Sequence, residues 1–162
     1  MGEPRCTAQY PEMRRIRTFT PILLLLLAPA FVHAKQLAVV ADAGNETNNL
    51  TATELASLFT VHTHTWSDGK PVTIVVRDPS SPDMELVLRK VFNMNPAQAK
   101  SFIQAHRPAV VVADSDDAVL HFVAANRGAI GIVDLYSLTK DVKVIKIDGK
   151  LPVEQGYLLR GN

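Results

Sequence analysis

The stretch Arg77-Asp-Pro-Ser-Ser-Pro-Asp83 gathers side chains suited to holding an oxyanion: a guanidinium, the hydroxyls of Ser80 and Ser81, and a helix-starting pattern. Arginine presents a planar fork of charged donors, and the free N–H groups of a helix start add positive potential. Asp83 places a carboxylate in the same loop. The residues have a second reading, in which the serines are plain helix caps and Arg77 is a structural arginine paired with Asp78 or Asp83. Other clusters carry less chemistry. Asp114, Asp116 and Asp117 read as helix-start charges, since a calcium loop would need alternating oxygen ligands followed by a bidentate Glu. His62, His64, His106 and His121 obey no metal-ligand spacing, and no metal is expected. No Gly-x-Ser-x-Gly elbow occurs, and Ser81 followed by Pro82 makes a poor nucleophile turn. No catalytic residue and no cofactor is assigned, so the chain reads as a non-enzyme.

The elements that must position this loop alternate between strand and helix. Leu37–Ala41 is an apolar run of strand length, and Asp42–Asn49 reads as a loop from its Asn, Gly and Asp content. Thr51-Ala-Thr-Glu54 has the spacing of a capping box, with Leu55, Leu58 and Phe59 giving the apolar face of the helix behind it. Asp68-Gly69 supplies a turn, and Val72–Val76 is a β-branched strand running into Arg77. Ser81 then reads as an N-cap with Pro82 in the first helical position. Met84, Val87, Leu88 and Val91 form a buried helical stripe. Asn95-Pro96 starts another helix, with Ala99, Phe102 and Ile103 inward. Ala109–Val112 is a short strand candidate. Ser115, Asp116 and Asp117 open a helix carrying Val119, Phe122 and Val123, which Gly128 ends. Ala129–Val133 and Val142–Ile147 are strands, and Tyr157–Leu159 is a candidate for a last one. The alternation implies an α/β sheet covered by helices, whose ligands bind at the carboxyl ends of strands. The Arg77–Asp83 loop is such a place.

Ahead of these elements, Arg14, Arg15 and Arg17 precede an apolar run from Pro21 to Val32, and Ala34 offers a small residue for cleavage. That order predicts a secretory signal over residues 1–34, too short for a membrane span, with Met13 an alternative start and an uncleaved anchor the alternative fate. The predicted mature domain is residues 35–162, exported to the periplasm or secreted, with no stable membrane span after cleavage. The signal would take with it Cys6, the one cysteine of the chain, so the mature domain would carry no thiol. It would also take Arg5, Arg14, Arg15 and Arg17 against Glu3 and Glu12, turning the excess of 17 basic over 16 acidic residues into a slight acidic one. No nucleic-acid partner is expected from such a balance. Aromatic residues make up 6%, too few for a surface of stacked rings, while 47% hydrophobic content is too high for a disordered chain.

Leu58-Phe59 with Trp66, the Arg77–Asp83 loop and Arg127-Gly-Ala-Ile-Gly-Ile-Val133 occur in the order of the "IFLGKITxW", "RSDGSGTT" and "PGAIGYV" stretches of another group of proteins. On these residues the chain resembles the phosphate-type substrate-binding proteins of ABC transporters, over nearly all of the predicted mature domain. The resemblance implies a lobe of the type II periplasmic-binding-protein fold, a mixed sheet flanked by helices. It implies non-catalytic binding of inorganic phosphate or a similar oxyanion at Arg77, Ser80, Ser81 and Asp83, and an ABC transporter permease or a homodimer partner. Arg77 and Ser81 match the Arg and Ser of the family loop. Pro82 replaces a Gly and removes an N–H donor. Asp83 replaces a Thr, so a carboxylate stands where a hydroxyl would; it repels an incoming phosphate or accepts the proton of a monohydrogen phosphate. Family members close their anion between two lobes, and this chain has residues for about one. The alternative is an interaction or scaffold module that kept the fold and lost the ligand.

Overall fold

The computed structural model describes residues 35–161 and Gly2; apart from Gly2, the predicted signal segment, with its cleavage site, lies outside the described residues. Six strands form one sheet: β1 (Leu37–Asp42), β2 (Asn49–Leu50), β3 (Thr73–Arg77), β4 (Val110–Ala113), β5 (Ala129–Asp134) and β6 (Val142–Ile147). Their spatial order is β2-β6-β1-β5-β3-β4. The sheet is mixed, because β3 runs parallel to both β4 and β5 while β1 is antiparallel to β5 and β6. This is the predicted fold class, an α/β sheet with helices on both faces.

The strand pleat divides the core between the two faces. On one face Leu37, Val39, Ala41, Ile74, Val76, Ile130 and Ile132 meet α1 (Ala52–Phe59), α2 (Met84–Val87) and α3 (Pro96–Ala105). Phe92 stands edge-on to both Phe59 and Phe102, with ring centres 5.8 and 6.0 Å apart, and ties the three helical segments together. On the other face Val40, Val75 and Val133 pack against Val119, Leu120 and Val123 of α4 (Asp116–Ala125). A side chain at Gly131 would place its Cβ 2.6 Å from a Val119 methyl, so the absence of one lets α4 lie close on the sheet.

Local chemistry explains most helix starts. Thr51 and Glu54 form the predicted capping box, and Asn95 with Gln98 forms a second one. Ser115 caps α4 through Ala118 N–H. One predicted start is corrected. Ser81 does not cap and Pro82 is not the first helical residue, since α2 begins at Met84. The reason lies upstream, where Asp78 takes the Ser80 amide on its side chain and the Ser81 amide on its carbonyl. That turn captures the backbone first, and Ser81 serves only through its carbonyl, which accepts from Met84 N–H. The helical stripe is buried as predicted, but at Leu88 the helix widens into a π turn, Leu88–Phe92, ended by Asn93 in the left-handed region.

Three further expectations are adjusted. α4 ends at Ala125 with Asn126 as its C-cap, two residues before Gly128. The predicted loop 42–49 contributes Asp42 to β1 and Asn49 to β2. Tyr157–Leu159 forms turns rather than a strand, although Leu37 N–H donates to Leu159 C=O and Gln36 bridges Arg160. Among the described residues no helix is long and apolar enough to cross a membrane.

Candidate functional site

Strands β3, β4 and β5 end side by side at Arg77, Ala113 and Asp134, with Arg77 in register with Ala113. Because β1 is antiparallel to β5, with Leu37 opposite Asp134, Lys35 arrives at the same end of the sheet. Arg77 Nη1 donates to Asp116 Oδ1 at 2.6 Å and lies 3.5 Å from Asp83 Oδ2. The other oxygen of Asp116 accepts from Asp134 N–H at 2.9 Å and Ser137 Oγ at 3.1 Å. Asp116 therefore ties the ends of β3 and β5 to the first turn of α4. The Arg77 and Asp116 side chains are 18% and 16% exposed, so little water screens their pair, whereas Asp83 is 39% exposed. Lys35 Nζ donates to Asp83, which thus bridges two cations.

Arg77 pairs with Asp83, as the structural reading had it, but not with Asp78. The Asp78 carboxyl is taken by the Ser80 amide, which holds it below the usual carboxylate range. Asp116, read from sequence as a helix-start charge, is the principal partner of Arg77. The signal that would have found it is topological: the residue opening the helix after β4 must come beside the end of its parallel neighbour β3.

The four predicted site residues do not converge on one surface. Arg77 and Asp83 border an interior space of about 10 Å³ with Met84 and Asp134, room for a single water and not for an oxyanion. Ser80 and Ser81 line a separate groove of about 490 Å³ with Pro79, Leu88 and Met94. Arg77 Nε and Ser81 Oγ are buried and have no hydrogen-bond partner within the described residues.

The histidines sit apart from this site. His62 and His64 lie in exposed turns after α1, with His62 Nδ1 2.7 Å from Thr60 Oγ1, while His106 packs on Phe102 and His121 is an exposed residue of α4. Among the described residues no group of three or more His, Cys, Asp or Glu is placed to hold a metal.

A second buried polar cluster lies at the opposite end of β5, and sequence reasoning missed it. Asp42 Oδ2 accepts from Gly128 N–H at 2.9 Å, and Trp66 Nε1 donates to Gly128 C=O at 2.9 Å. Gly128 has φ +83°, and a Cβ there would fall 2.3 Å from Pro71 O. The Trp66 and Gly128 stretches singled out in the sequence therefore meet here as a structural clamp, away from Arg77.

Solved structures share this arrangement of strands and helices. An ABC-type phosphate transport receptor from Vibrio cholerae matches 79% of the chain at 20% identity and a TM-score of 0.68. PstS from Borrelia burgdorferi matches 80% at 16% identity and a TM-score of 0.65. A phosphate ABC transporter substrate-binding protein from Clostridium perfringens, solved with bound phosphate, matches 74% at 18% identity and a TM-score of 0.62. The fold is that of the ABC-type phosphate receptors. The chain spans about half the length of these proteins, between 47% and 55%. No family model and no curated protein matches the sequence.

Proposed function

We propose that this phosphate-receptor fold is an exported, non-catalytic oxyanion-binding protein, most simply for phosphate, that works with an ABC transporter. The observation that carries the reading is the unequal bonding of Arg77 at the carboxyl end of a parallel strand. Its contact to Asp116 is tight and buried, while its contact to half-exposed Asp83 is 3.5 Å long. An oxyanion entering there would exchange with the Asp83 carboxylate, keep Asp116 as the brace of the guanidinium, and draw on Arg77 Nε. Ser80 and Ser81, on the separate groove, would join only after the loop rearranges. A permease or a second copy of the chain would supply the opposing wall that the longer receptors carry.

The alternative, an interaction module without ligand, is favoured by the same carboxylates, which already neutralise Arg77 and leave no cavity of anion size. Titration calorimetry with phosphate, sulfate and molybdate separates the two. Asp83→Thr removes the competing charge and is expected to raise affinity at least tenfold, and Arg77→Ala to abolish binding. No heat from Asp83→Thr with any of the three anions would refute the oxyanion reading in favour of the module.

A further inference from the structure

Among the described residues a second positive feature lies apart from the Arg77 loop. A cleft of about 1000 Å³ opens between the π turn and the C-terminal segment, lined by Arg89, Lys90 and Arg160 together with Gln155, Gly156 and Tyr157. Its volume is at the upper end of ligand cavities. Among the described residues no carboxylate lines it, and none of its three cations makes an ion pair. Glu85, one helical turn before Arg89, lines the neighbouring groove beside Ser81, which Arg89 also borders, and makes no ion pair with Arg89 within the described residues. Lys150 sits at the rim, its Nζ 3.4 Å from Gly156 C=O.

Both walls are rooted in the core. Arg89 and Lys90 are carried between Leu88 and Val91, which are 3% and 4% exposed, on a π turn, a geometry frequent at functional sites. Arg160 follows Leu159, which is fully buried, and Gly156 precedes Tyr157, which is 3% exposed. The backbone bridge between Gln36 and Arg160 and the bond from Gly161 N–H to Lys35 C=O, at 2.7 Å, hold the second wall to the sheet. The backbone thus carries three exposed cations around one concave surface, where an anion of several charges can meet more than one of them. Their three positive charges exceed the charge of about −1.5 to −2 that a single phosphate group carries near pH 7.

We infer that this cleft binds a chain of two or more phosphoryl groups, either free condensed phosphate or the phosphate tail of a nucleotide. The guanidinium groups of Arg89 and Arg160 take terminal phosphoryl oxygens in bidentate fashion, and Lys90 acts as a point charge between them. The site is separate from Arg77 and does not depend on the function proposed for that loop. The test is amide NMR of the full chain, with calorimetry, during titration with tripolyphosphate, ATP, adenosine and orthophosphate. Tripolyphosphate is expected to move the Gly156, Gly161, Arg89 and Lys90 amides and to bind at least tenfold tighter than orthophosphate. Binding should weaken with added salt, fall at least tenfold in Arg89→Ala/Arg160→Ala, and survive Arg77→Ala. ATP binding without adenosine binding assigns recognition to the phosphates, and tighter binding of ATP than of tripolyphosphate names the nucleotide as the source. No binding of tripolyphosphate, shifts spread over all surface lysines, shifts confined to the Ser81 loop, or unchanged affinity in the double variant would each overturn the inference.

Discussion

Asp116 carries more of the site than any residue predicted to form it, and its replacement by alanine tests that directly. The variant removes one charge-assisted bond to Arg77 and leaves the Asp134 amide and the Ser137 hydroxyl without their acceptor. A bond to a charged group contributes about 1.5–3 kcal/mol, and stranding one partner of a fully buried pair costs about 3–5 kcal/mol. Arg77 keeps Asp83 at 3.5 Å and some access to water, which lowers the figure. The expected loss for Asp116→Ala is about 2–3 kcal/mol. In a domain of this size that lowers Tm by roughly 10 °C. Asp116→Asn, which retains an acceptor oxygen but not the charge, should lose about half as much.

Part of any loss at Asp116 comes from its place in the first turn of α4, where a carboxylate favours the helix dipole by about 0.3–1 kcal/mol. Urea unfolding of Asp116→Ala, Arg77→Ala and the double variant removes that contribution, because it is the same in both Arg77 backgrounds. A coupling energy of at least about 1 kcal/mol is expected, with the denaturant slope unchanged. Strictly additive losses, or a single-variant loss below about 0.5 kcal/mol, would refute the claim that Asp116 braces Arg77.

The Asp42–Gly128–Trp66 clamp predicts that Gly128→Ala costs more than about 3 kcal/mol, because a Cβ meets the Pro71 carbonyl at a positive φ; near-native melting would contradict it. Tyr157 makes an alkaline prediction. Burial pushes its hydroxyl up to about 12, partly offset by the Val39 backbone. A folded-state value raised above the unfolded value of about 10 gives stability that is intact below pH 10 and lost as pH rises toward 12. Tyr157→Phe should flatten this loss and change stability at pH 7 by less than about 1 kcal/mol, since the hydroxyl has no full hydrogen-bond partner; unfolding curves at pH 7, 9 and 11 check both points. The Asp83→Thr variant carries the functional prediction through its gain in anion affinity.

The strands and helices were legible where one residue pattern settles one local choice. Val142–Ile147 reads as a strand from its β-branched residues, and α3 starts where Asn95-Pro96 says it must. The Thr51 box needs only three residues of spacing. Elements that depend on distant pairing were not legible. β2 is two residues long and exists because β6 lies beside it, as no two-residue run carries a period. Ser81 looked like a cap, but the Asp78 turn competed for the same backbone and won.

The candidate site divides along the same line. Sequence alone placed Arg77 at a strand end, put Asp83 and two serines in its loop, and supported the type of fold, because these follow from neighbours a few residues apart. Tertiary structure decided what Arg77 touches. Asp116 is 39 residues away and Lys35 reaches Asp83 across 48, distances bridged only by the parallel pairing of β3 with β4 and the antiparallel entry of β1. It also decided which cations make no ion pair among the described residues. Arg89, Lys90 and Arg160 are unremarkable in the sequence, and they face one cleft only because the π turn and the chain's last segment are packed onto the same side of the sheet. Short-range pattern sets which elements form; the long-range pairing of those elements sets which charges meet.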